Sequence, residues 1–322
     1  MHSSSLMLVS ALSLAFMPFK ANAETWPTRT LTAIVPFAAG SFTDVVPRVV
    51  FEQLSKQLGQ SIIVENRPGA GTTTAAAFVA KSKPDGYTIL VNSSAHTIAP
   101  ALYPKLSYNP VQDFAGVVPL GISSSVLVVP PVRGFKTAAE FVGAARAKPG
   151  AMNFATPGVG TGLHLSALRF QSSAGIQAVP VMFKGGPESM AEVIAGRIDF
   201  FFAPVGIALP HVKEGTLTAL AVNGFKRSAA LPEVPTVSEA GFANAEYPFW
   251  IGIFLPAKTP RDIVDRLHSE TVKALANPMV RDKLVALGVD PMEMTPTEFD
   301  AHVEKQIAVD AALVKEAGIK TQ

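Results

Sequence analysis

The stretch LTAIVPFAAGSFTDVVPR, from Leu31 to Arg48, decides the fold because it contains a strand, a turn and a helix start in immediate succession. The apolar run Leu31–Phe37 predicts a buried strand, and the small residues of Ala38–Ser41 predict a turn. Apolar residues then recur at helical spacing from Val45 to Leu54. A turn that leads into a helix N-terminus exposes free backbone N–H groups at the positive end of a helix dipole. The stretch therefore predicts an anion site, with a residue that only caps its own helix as the alternative.

The same scheme continues toward the C-terminus. Strands are predicted at Ser61–Glu65 and Tyr87–Val91, with a helix of small residues over 72–81 between them. This alternation predicts a parallel sheet with helices on its faces. Ligands of open α/β sheets bind outside the carboxyl ends of the strands. We therefore expect the polar residues after the third strand, Asn92–His96, to share a rim with the turn after the first strand.

A second unit repeats the scheme. Met152–Ala155 is a predicted strand, and the glycine-rich loop Thr156–Gly162 leads from it into a helix that contains His164. Another predicted strand ends at Lys184-Gly185-Gly186. The chain crosses into this unit after residue 124 and returns near residue 225. These crossings predict two α/β domains, residues 24–124 with 225–322 and residues 125–224, joined by two crossover segments.

Composition excludes several classes of protein. The 322 residues contain no cysteine and carry a formal charge of +2, so disulfides and thiolate metal sites are excluded. A near-neutral chain without basic blocks is not expected to bind nucleic acid. The histidines are scattered without metal-ligand spacing, and we expect neither a metal nor a cofactor. We expect a monomer.

The N-terminus resembles a secretory signal. Leu6–Phe19 is apolar but too short to span a bilayer, and Ala21-Asn22-Ala23 has the form of a signal-peptidase site. Residues 1–23 are therefore a predicted signal peptide, cleaved after Ala23. A disulfide-free exported chain fits a Gram-negative periplasm.

Several motifs together resemble one known family, the Bug-type periplasmic solute receptors of the tripartite tricarboxylate transporter group. They are VPFAAGSFTD (Val35–Asp44), VENRPGAG (Val64–Gly71), PDGYTIL (Pro84–Leu90), LYPKLSYNPVQDF (Leu102–Phe114), FKGGPESM (Phe183–Met190) and ALPHVKEGTLTALAV (Ala208–Val222). The resemblance covers essentially the whole mature chain. It implies a two-domain periplasmic-binding-protein fold of the Venus flytrap, type II-like kind, in which each domain is a mainly parallel sheet flanked by helices. It also implies a non-enzymatic receptor that binds a small carboxylate, either a di- or tricarboxylate or an aromatic carboxylate, and delivers it to integral membrane transporter subunits.

The resemblance assigns ligand-binding residues to the loops at the strand ends. They are Ala39, Gly40, Ser41, Phe42, Thr43, Asp44, Ser93, Ser94, His96, Thr156, Gly158, Gly160, Thr161, His164, Lys184, Gly185, Gly186, Ala203 and Pro204.

The chain departs from the family pattern at two of these places. Ser41-Phe42 stands where the family usually has glycine, and Ala203-Pro204 stands where an aspartate is common. Such an aspartate suits the amine of an amino-acid ligand, so its absence weighs against amino acids. Four phenylalanines, Phe42, Phe183, Phe201 and Phe202, would supply an apolar wall for an aromatic or aliphatic carboxylate, or else belong to the core.

Two other functions fit parts of the sequence. A receptor that serves as the ligand-binding sensor of a signalling system would have the same sequence features. An exported serine hydrolase would use Ser93 or Ser94 with His96, but the chain has no G-x-S-x-G nucleophile elbow.

Overall fold

The computed structural model describes residues 26–316, 318–319 and 321. The predicted signal peptide and its cleavage site lie outside the described residues. The strands are β1 (Leu31–Val35), β2 (Ile62–Asn66), β3 (Thr88–Ser93), β4 (Phe114–Ser123), β5 (Ser125–Val129), β6 (Met152–Thr156), β7 (Ala178–Met182), β8 (Phe200–Pro204), β9 (Thr218–Val222), β10 (Phe249–Pro256) and β11 (Val289–Asp290). The helices are α1 (Phe42–Leu58), α2 (Thr73–Ala80), α3 (Ala95–Leu102), α4 (Ala138–Ala147), α5 (Gly162–Ala174), α6 (Gly186–Ile194), α7 (Val205–Lys213), α8 (Arg261–Ala276), α9 (Pro278–Ala286) and α10 (Pro296–Glu316).

The strands form two sheets. The first is six-stranded in the order β11-β4-β10-β3-β1-β2, and the second is five-stranded in the order β7-β6-β8-β5-β9. We call the first sheet with α1–α3 and α8–α10 the first lobe, and the second sheet with α4–α7 the second lobe. The chain passes from the first sheet to the second across Ser124 and returns between Val222 and Phe249.

Each sheet is mixed, whereas the sequence predicted mainly parallel sheets. β1 pairs in parallel with β2 and β3, and β6 pairs in parallel with β7 and β8. By contrast, β10 is antiparallel to β3 and β4, and β5 is antiparallel to β8 and β9. The reason is the double crossing. β4 runs toward the junction and β10 returns from it, while β5 leaves the junction and β9 returns to it, so each such pair must be antiparallel.

Both sheets are covered by apolar side chains on both faces. In the first lobe one face packs against α1, α8 and α9, and the other against α2 and α10. In the second lobe α4 and α5 cover one face, and α6 and α7 cover the other. Neighbouring residues of β8 point to opposite faces, so Phe201 and Phe202 enter different core clusters. Both are core residues and do not line a cleft.

Two helices were not predicted from the sequence. α3 contains Pro100 and α7 contains Pro210, and proline disfavours a helix interior. Both helices are short and directly follow the end of a strand. The polar residues before α3 predict a loop rather than a helix start. No helix in the described part of the chain is long and apolar enough to cross a membrane.

Candidate functional site

A small cavity lies where the two lobes meet. Its walls come from both lobes: Phe37, Ser41, Phe42, Thr43, Ser93 and Phe249 from the first, and Pro157, Thr161, Gly162, Leu163, Gly186, Pro204 and Ile207 from the second. The cavity measures about 30 Å³, which is room for roughly two water molecules. None of these lining residues carries a charged side chain.

Helix N-termini surround this cavity. Lining residues belong to the first turn of α1, α5, α6 and α7 or immediately precede it, and the lining residue Ser93 lies two residues before α3. Each N-terminus contributes a partial positive charge and backbone N–H groups that have no acceptor within the helix. Five such ends near one cavity favour an anion there without a cationic side chain, although the Ala95 N–H of α3 is bonded to Ser93 Oγ and the Val205 N–H of α7 to the Ser124 carbonyl.

Capping differs among these five helices. Thr161 caps α5 by accepting a hydrogen bond from His164 N, at 3.2 Å, on its hydroxyl. The N-cap residues of α1, α3, α6 and α7 make no equivalent side-chain bond. At α1 the N-cap residue Ser41 is 5% exposed, and its Oγ has no hydrogen-bond partner in the described chain. A buried hydroxyl without a partner is costly, so this oxygen is available for a ligand.

The loop before α1 is held in place by Asp44. The Gly40 N–H donates to Asp44 Oδ2 at 2.9 Å, while Arg48 Nε and Asn66 Nδ2 each donate to Oδ1 at 2.9 Å. Asn66 Nδ2 also donates to the Phe37 carbonyl at 2.9 Å. Both carboxylate oxygens of Asp44 therefore accept hydrogen bonds from groups within the protein. The sequence placed Asp44 among the ligand-binding residues, but the structure gives it the task of shaping the loop.

Electrostatics support that task. Burial would raise the pKa of Asp44, but the hydrogen bonds from Arg48, Asn66 and Gly40 outweigh it, so the pKa lies below the ordinary value of 3.8. The carboxylate is ionised at neutral pH. The backbone donors that remain at this helix start are the N–H groups of Phe42 and Thr43, because the helix has no carbonyl group four residues before them.

The loop before α5 is held differently. The Gly160 N–H donates to His164 Nδ1 at 3.3 Å, and Thr161 Oγ1 donates to the Gly158 carbonyl at 3.0 Å. His164 is 3% exposed and stacks on Phe154, and burial lowers the pKa of its imidazole to about 4. The neutral ring therefore accepts on Nδ1. His164 lies behind the loop rather than on the cavity wall.

Glycines let the two lobes approach each other. Gly160 has φ +75°, and a Cβ at this position would overlap Leu102 Cδ1 of α3 in the other lobe. A Cβ on Gly162 would come within 2.9 Å of Phe249 Cβ. These glycines are needed for contact between the lobes, as well as for the turn conformation.

A further contact between the lobes involves the loop before α6. A Cβ on Gly185 would lie 3.3 Å from Ala38 Cβ, and one on Gly40 would lie 3.9 Å from Pro187 Cγ. The loop's shape is supported by Glu188, which accepts a hydrogen bond from Lys184 N at 2.9 Å. The Lys184 side chain is exposed and does not line the cavity.

The serine and histidine residues after β3 do not form a catalytic pair. His96 is fully buried among Tyr108, Phe114 and Phe254, with its Nε2 at 3.0 Å from the Pro110 carbonyl. Burial lowers the pKa of His96 to about 4. Ser94 Oγ accepts from Trp250 N, and Ser93 Oγ accepts from Ala95 N. Neither hydroxyl is bonded to the imidazole.

The structure thus gathers some of the predicted site residues on the cavity wall and leaves others behind it. On the wall are Ser41, Phe42, Thr43, Ser93, Thr161, Gly186 and Pro204. Beneath or beside the wall are Ala39, Gly40, Asp44, Ser94, Thr156, Gly158, Gly160, His164, Lys184, Gly185 and Ala203, while His96 lies in the aromatic core.

The cavity also has lining residues that the sequence did not predict. Phe37, Pro157, Gly162, Leu163, Ile207 and Phe249 complete the wall. Phe42 and Phe249 form an edge-to-face pair with centroids 5.4 Å apart. Of the four phenylalanines proposed for an apolar wall, Phe42 lines the cavity, and Phe183 packs against the core. Pro157 and Gly162 lie within the predicted glycine-rich loop Thr156–Gly162, although neither was named as a site residue, whereas Phe249 is distant in sequence and has no local signal.

A larger cavity of about 570 Å³ lies in the first lobe between α8, α9 and residues 291–295. Its walls are mostly aliphatic, and it shares no lining residue with the small cavity. The carboxylate Glu298 at its edge is already bonded to Thr295 N and Oγ1, each at 2.8 Å. The loops predicted from the sequence meet at the small cavity. Among the described residues, no group of three or more His, Asp or Glu side chains is arranged to hold a metal.

Comparison with known proteins gives a consistent result. The sequence model of the family described as "Tripartite tricarboxylate transporter family receptor" matches residues 45–319. Protein BugT of Bordetella pertussis is 31% identical over 301 residues, which cover 93% of this chain and 92% of BugT.

Solved structures agree with the sequence comparison. An R. palustris protein solved with adipate has a TM-score of 0.88 at 30% identity, covering 92% of this chain and 100% of that protein. MatC from Rhodopseudomonas palustris, with bound malate, has a TM-score of 0.84 at 32% identity, covering 90% of this chain and 100% of MatC. These comparisons confirm the predicted two-domain periplasmic-binding-protein fold and the resemblance to the receptor family. The chain belongs to the tripartite tricarboxylate transporter receptor family.

Proposed function

We propose that this member of the receptor family binds a small carboxylate at the cavity between its two lobes. The observation that carries the proposal is the convergence of five helix N-termini on a cavity with no charged side chain on its wall, at which Ser41 Oγ is buried and unpartnered. Such an arrangement stabilises an anion through backbone N–H groups and helix dipoles.

The groups that donate hydrogen bonds to the ligand's first carboxylate are the N–H groups of Phe42 and Thr43 and the Ser41 hydroxyl. On the opposite wall, the backbone around Thr161–Leu163 and Gly186 offers donors to the ligand's other end. Each charge-assisted hydrogen bond contributes about 1.5–3 kcal/mol. A few such bonds suffice for micromolar affinity without a cationic side chain.

The apolar residues of the cavity wall indicate the chemical character of the ligand apart from its carboxylate. Phe37, Phe42 and Phe249 from the first lobe face Leu163 and Ile207 from the second. Burial of a methylene group stabilises a complex by about 0.8 kcal/mol. We therefore propose a carboxylate with an aliphatic or aromatic body. The adipate bound by one relative has such a body, whereas the malate bound by another carries a hydroxyl group.

Ligand entry requires the lobes to separate, because a cavity of about 30 Å³ is smaller than adipate. We propose that the two lobes move against each other, with hinges near Ser124 and near Tyr247, because Val237, Phe242 and Ala245 pack in the core of the second lobe. The sequence placed the boundary of the return crossing between residues 224 and 225. A ligand that touches both walls favours the closed form, because only that form allows all of its contacts.

The proposal extends to location and partners. A periplasmic receptor with the predicted signal peptide would deliver its ligand to integral membrane subunits of a transporter. A ligand-binding sensor for a signalling system is the alternative, and isolation of the membrane partner with the closed receptor separates the two. The role is binding rather than catalysis, since His96 is not bonded to the neighbouring serines.

The test uses the mature chain, residues 24–322, in a thermal-shift screen followed by calorimetry. Adipate, malate and benzoate are compared with adipamide and hexane-1,6-diamine, which have similar bodies but lack the carboxylates. A bound ligand raises the apparent melting temperature by mass action. We expect carboxylates to bind with a stoichiometry of one and to be recovered unchanged.

The matched compounds make the result decisive. Adipamide should bind at least about 100-fold more weakly than adipate, because a neutral amide forfeits two or more charge-assisted bonds. Equal binding of adipate and adipamide, or preferential binding of the diamine, would rule out the anion site. Binding of carboxylates that survives replacement of Phe42 by Glu would place the site elsewhere.

A further inference from the structure

Tyr247 occupies the place where the chain returns from the second lobe to the first, two residues before β10 begins. Its main chain belongs to the second lobe. The Tyr247 N–H donates to the Asn223 carbonyl at 3.0 Å, and the Tyr247 carbonyl accepts from Asn223 Nδ2 at 2.8 Å and from Ser166 Oγ at 3.2 Å.

Asn223 joins the two crossings to each other. It directly follows β9, its Oδ1 accepts from Ser125 N at 2.7 Å, and its Nδ2 also donates to Ser166 Oγ at 2.8 Å. Asn223, Ser125 and Ser166 are all fully buried. Buried polar groups that are satisfied in this way hold their partners in one geometry.

The Tyr247 side chain, in contrast, enters the first lobe. Its hydroxyl donates to Asp310 Oδ1 of α10 at 2.8 Å. Asp310 is fully buried and also accepts from Thr97 Oγ1 of α3 at 2.6 Å and from Gln306 Nε2 at 2.9 Å. The ring packs with residues of α3 and α10 from the first lobe and with Leu165 of α5 from the second.

This network joins opposite walls of the cavity. Thr97 lies in α3, whose N-terminus is preceded by the lining residue Ser93, and Ser166 lies in α5, one turn after the lining residue Gly162. Ser166 Oγ also lies 2.9 Å from the Gly162 carbonyl, so its single hydroxyl hydrogen is shared between that carbonyl and the Tyr247 carbonyl. Tyr247 is therefore bonded directly to Ser166 of α5 and, through Asp310, to Thr97 of α3.

We propose that Tyr247, Asp310 and Thr97 form a latch that sets how readily the two lobes close, and that they are positioning residues for the binding site without touching the ligand. Withdrawing the Tyr247 hydroxyl from Asp310 leaves a buried carboxyl short of a donor, which is costly. The closed arrangement with all donors in place is thus favoured over intermediate ones. Affinity depends on the latch because the apparent dissociation constant scales inversely with the population of the binding-competent form.

The test is Tyr247→Phe, which removes one oxygen and keeps the ring. Tyr108→Phe is the matched control, since Tyr108 is equally buried, at 7% exposed, and its hydroxyl has no partner in the described chain. Small-angle X-ray scattering without ligand reports the separation of the lobes, and calorimetry with adipate reports affinity. We expect Tyr247→Phe to increase the radius of gyration and to weaken adipate binding about tenfold, as expected for the loss of one hydrogen bond to a charged group. Tyr108→Phe should change neither.

A second variant, Asp310→Leu, removes the acceptor of the Tyr247 hydroxyl and should act in the same direction. It also decides the question if Tyr247→Phe does not fold. The calorimetric measurement rests on the proposed function, whereas the scattering measurement does not, so the two can fail separately. The latch is overturned if Tyr247→Phe and Asp310→Leu match Tyr108→Phe in radius of gyration, whatever the adipate result. If the radius responds but the wild-type chain does not bind adipate, the proposed ligand is wrong and the latch stands.

Discussion

The two loops that face each other across the cavity share one plan and are stabilised in different ways. Both connect a strand to a helix N-terminus. The loop before α1 is tied by a charged side chain, Asp44, and leaves its N-cap hydroxyl without a partner. The loop before α5 is capped by Thr161 and packs through Gly160 against Leu102 of the other lobe. The comparison supports the proposal that the first loop supplies free donors to the ligand, while the second loop also packs the two lobes together.

The largest effect is expected at Gly160. In Gly160→Val, the new side chain overlaps Leu102 and the backbone keeps φ +75°, so the second loop cannot dock on α3. We expect adipate affinity to fall by at least about 100-fold, with the secondary structure retained by circular dichroism. The control is Gly59→Val, where φ is +67° but nothing lies within 4 Å. If the two variants bind adipate equally, docking of the second loop is not required.

The next effect tests the charge that holds the first loop. Asp44→Asn should weaken adipate binding about tenfold and lower the free energy of unfolding by about 1–3 kcal/mol at pH 7, because three hydrogen bonds to a carboxylate are lost or weakened. Because the pKa of Asp44 is lowered on folding, this stability is present above about pH 4 and is lost as the pH falls through the folded pKa. Urea denaturation between pH 3 and 7 measures it. The exposed Asp85, paired with Arg29, is the control, and Asp85→Asn should cost no more than about 1 kcal/mol.

Replacing each N-cap residue sharpens the contrast in capping. Ser41→Ala should weaken adipate binding about fivefold and should not lower the free energy of unfolding, because Ser41 Oγ has no partner without ligand. Thr161→Ala removes a real cap and should lower the free energy of unfolding by about 1 kcal/mol. Calorimetry and urea denaturation on the two variants provide both quantities. A stability loss in Ser41→Ala as large as that in Thr161→Ala would contradict the assignment of the first loop to the ligand.

The smallest effect on binding is expected at His96, which lies outside both loops. His96→Phe should leave adipate affinity unchanged. The folded pKa of His96 is about 4 and the unfolded value about 6.5, so the unfolded chain binds the extra proton and wild-type stability falls as the pH drops through that window. At pH 5 the fall in the free energy of unfolding should be smaller in the variant than in the wild type by on the order of 2 kcal/mol. Urea denaturation at pH 7.5 and pH 5 tests this, and equal declines in the two proteins would show that His96 does not stay neutral.

Much of the fold could be predicted from residue patterns. Residue patterns alone predict a helix at Ala138–Ala147, after the capping Thr137, and another at Arg261–Ala276, and α4 and α8 have these bounds. α3 and α7 were missed because each is stabilised by its position after a strand and by packing, despite its internal proline. The antiparallel pairs were not predicted because the relative direction of two strands depends on which strands pair, and local sequence does not show the pairing.

The candidate site shows the same division. Ser41, Thr43 and Thr161 were predicted because their loops follow strands and precede helices. His96 was assigned wrongly to the rim because the sequence does not show that its side chain turns into a core of Tyr108, Phe114 and Phe254. Phe249 was missed because it reaches the cavity from β10, more than 200 residues after the first loop in the chain.

The sequence by itself determined that two strand–loop–helix junctions of the same type exist, because small residues, caps and apolar periodicity act over a few residues. Only the tertiary structure decided what each junction does. Whether a donor is free depends on acceptors that are distant in sequence, such as Asp44 with Asn66, and whether a glycine is essential depends on the side chain that lies opposite it, such as Leu102. Those partners are set by how the two lobes pack, and local sequence does not encode them.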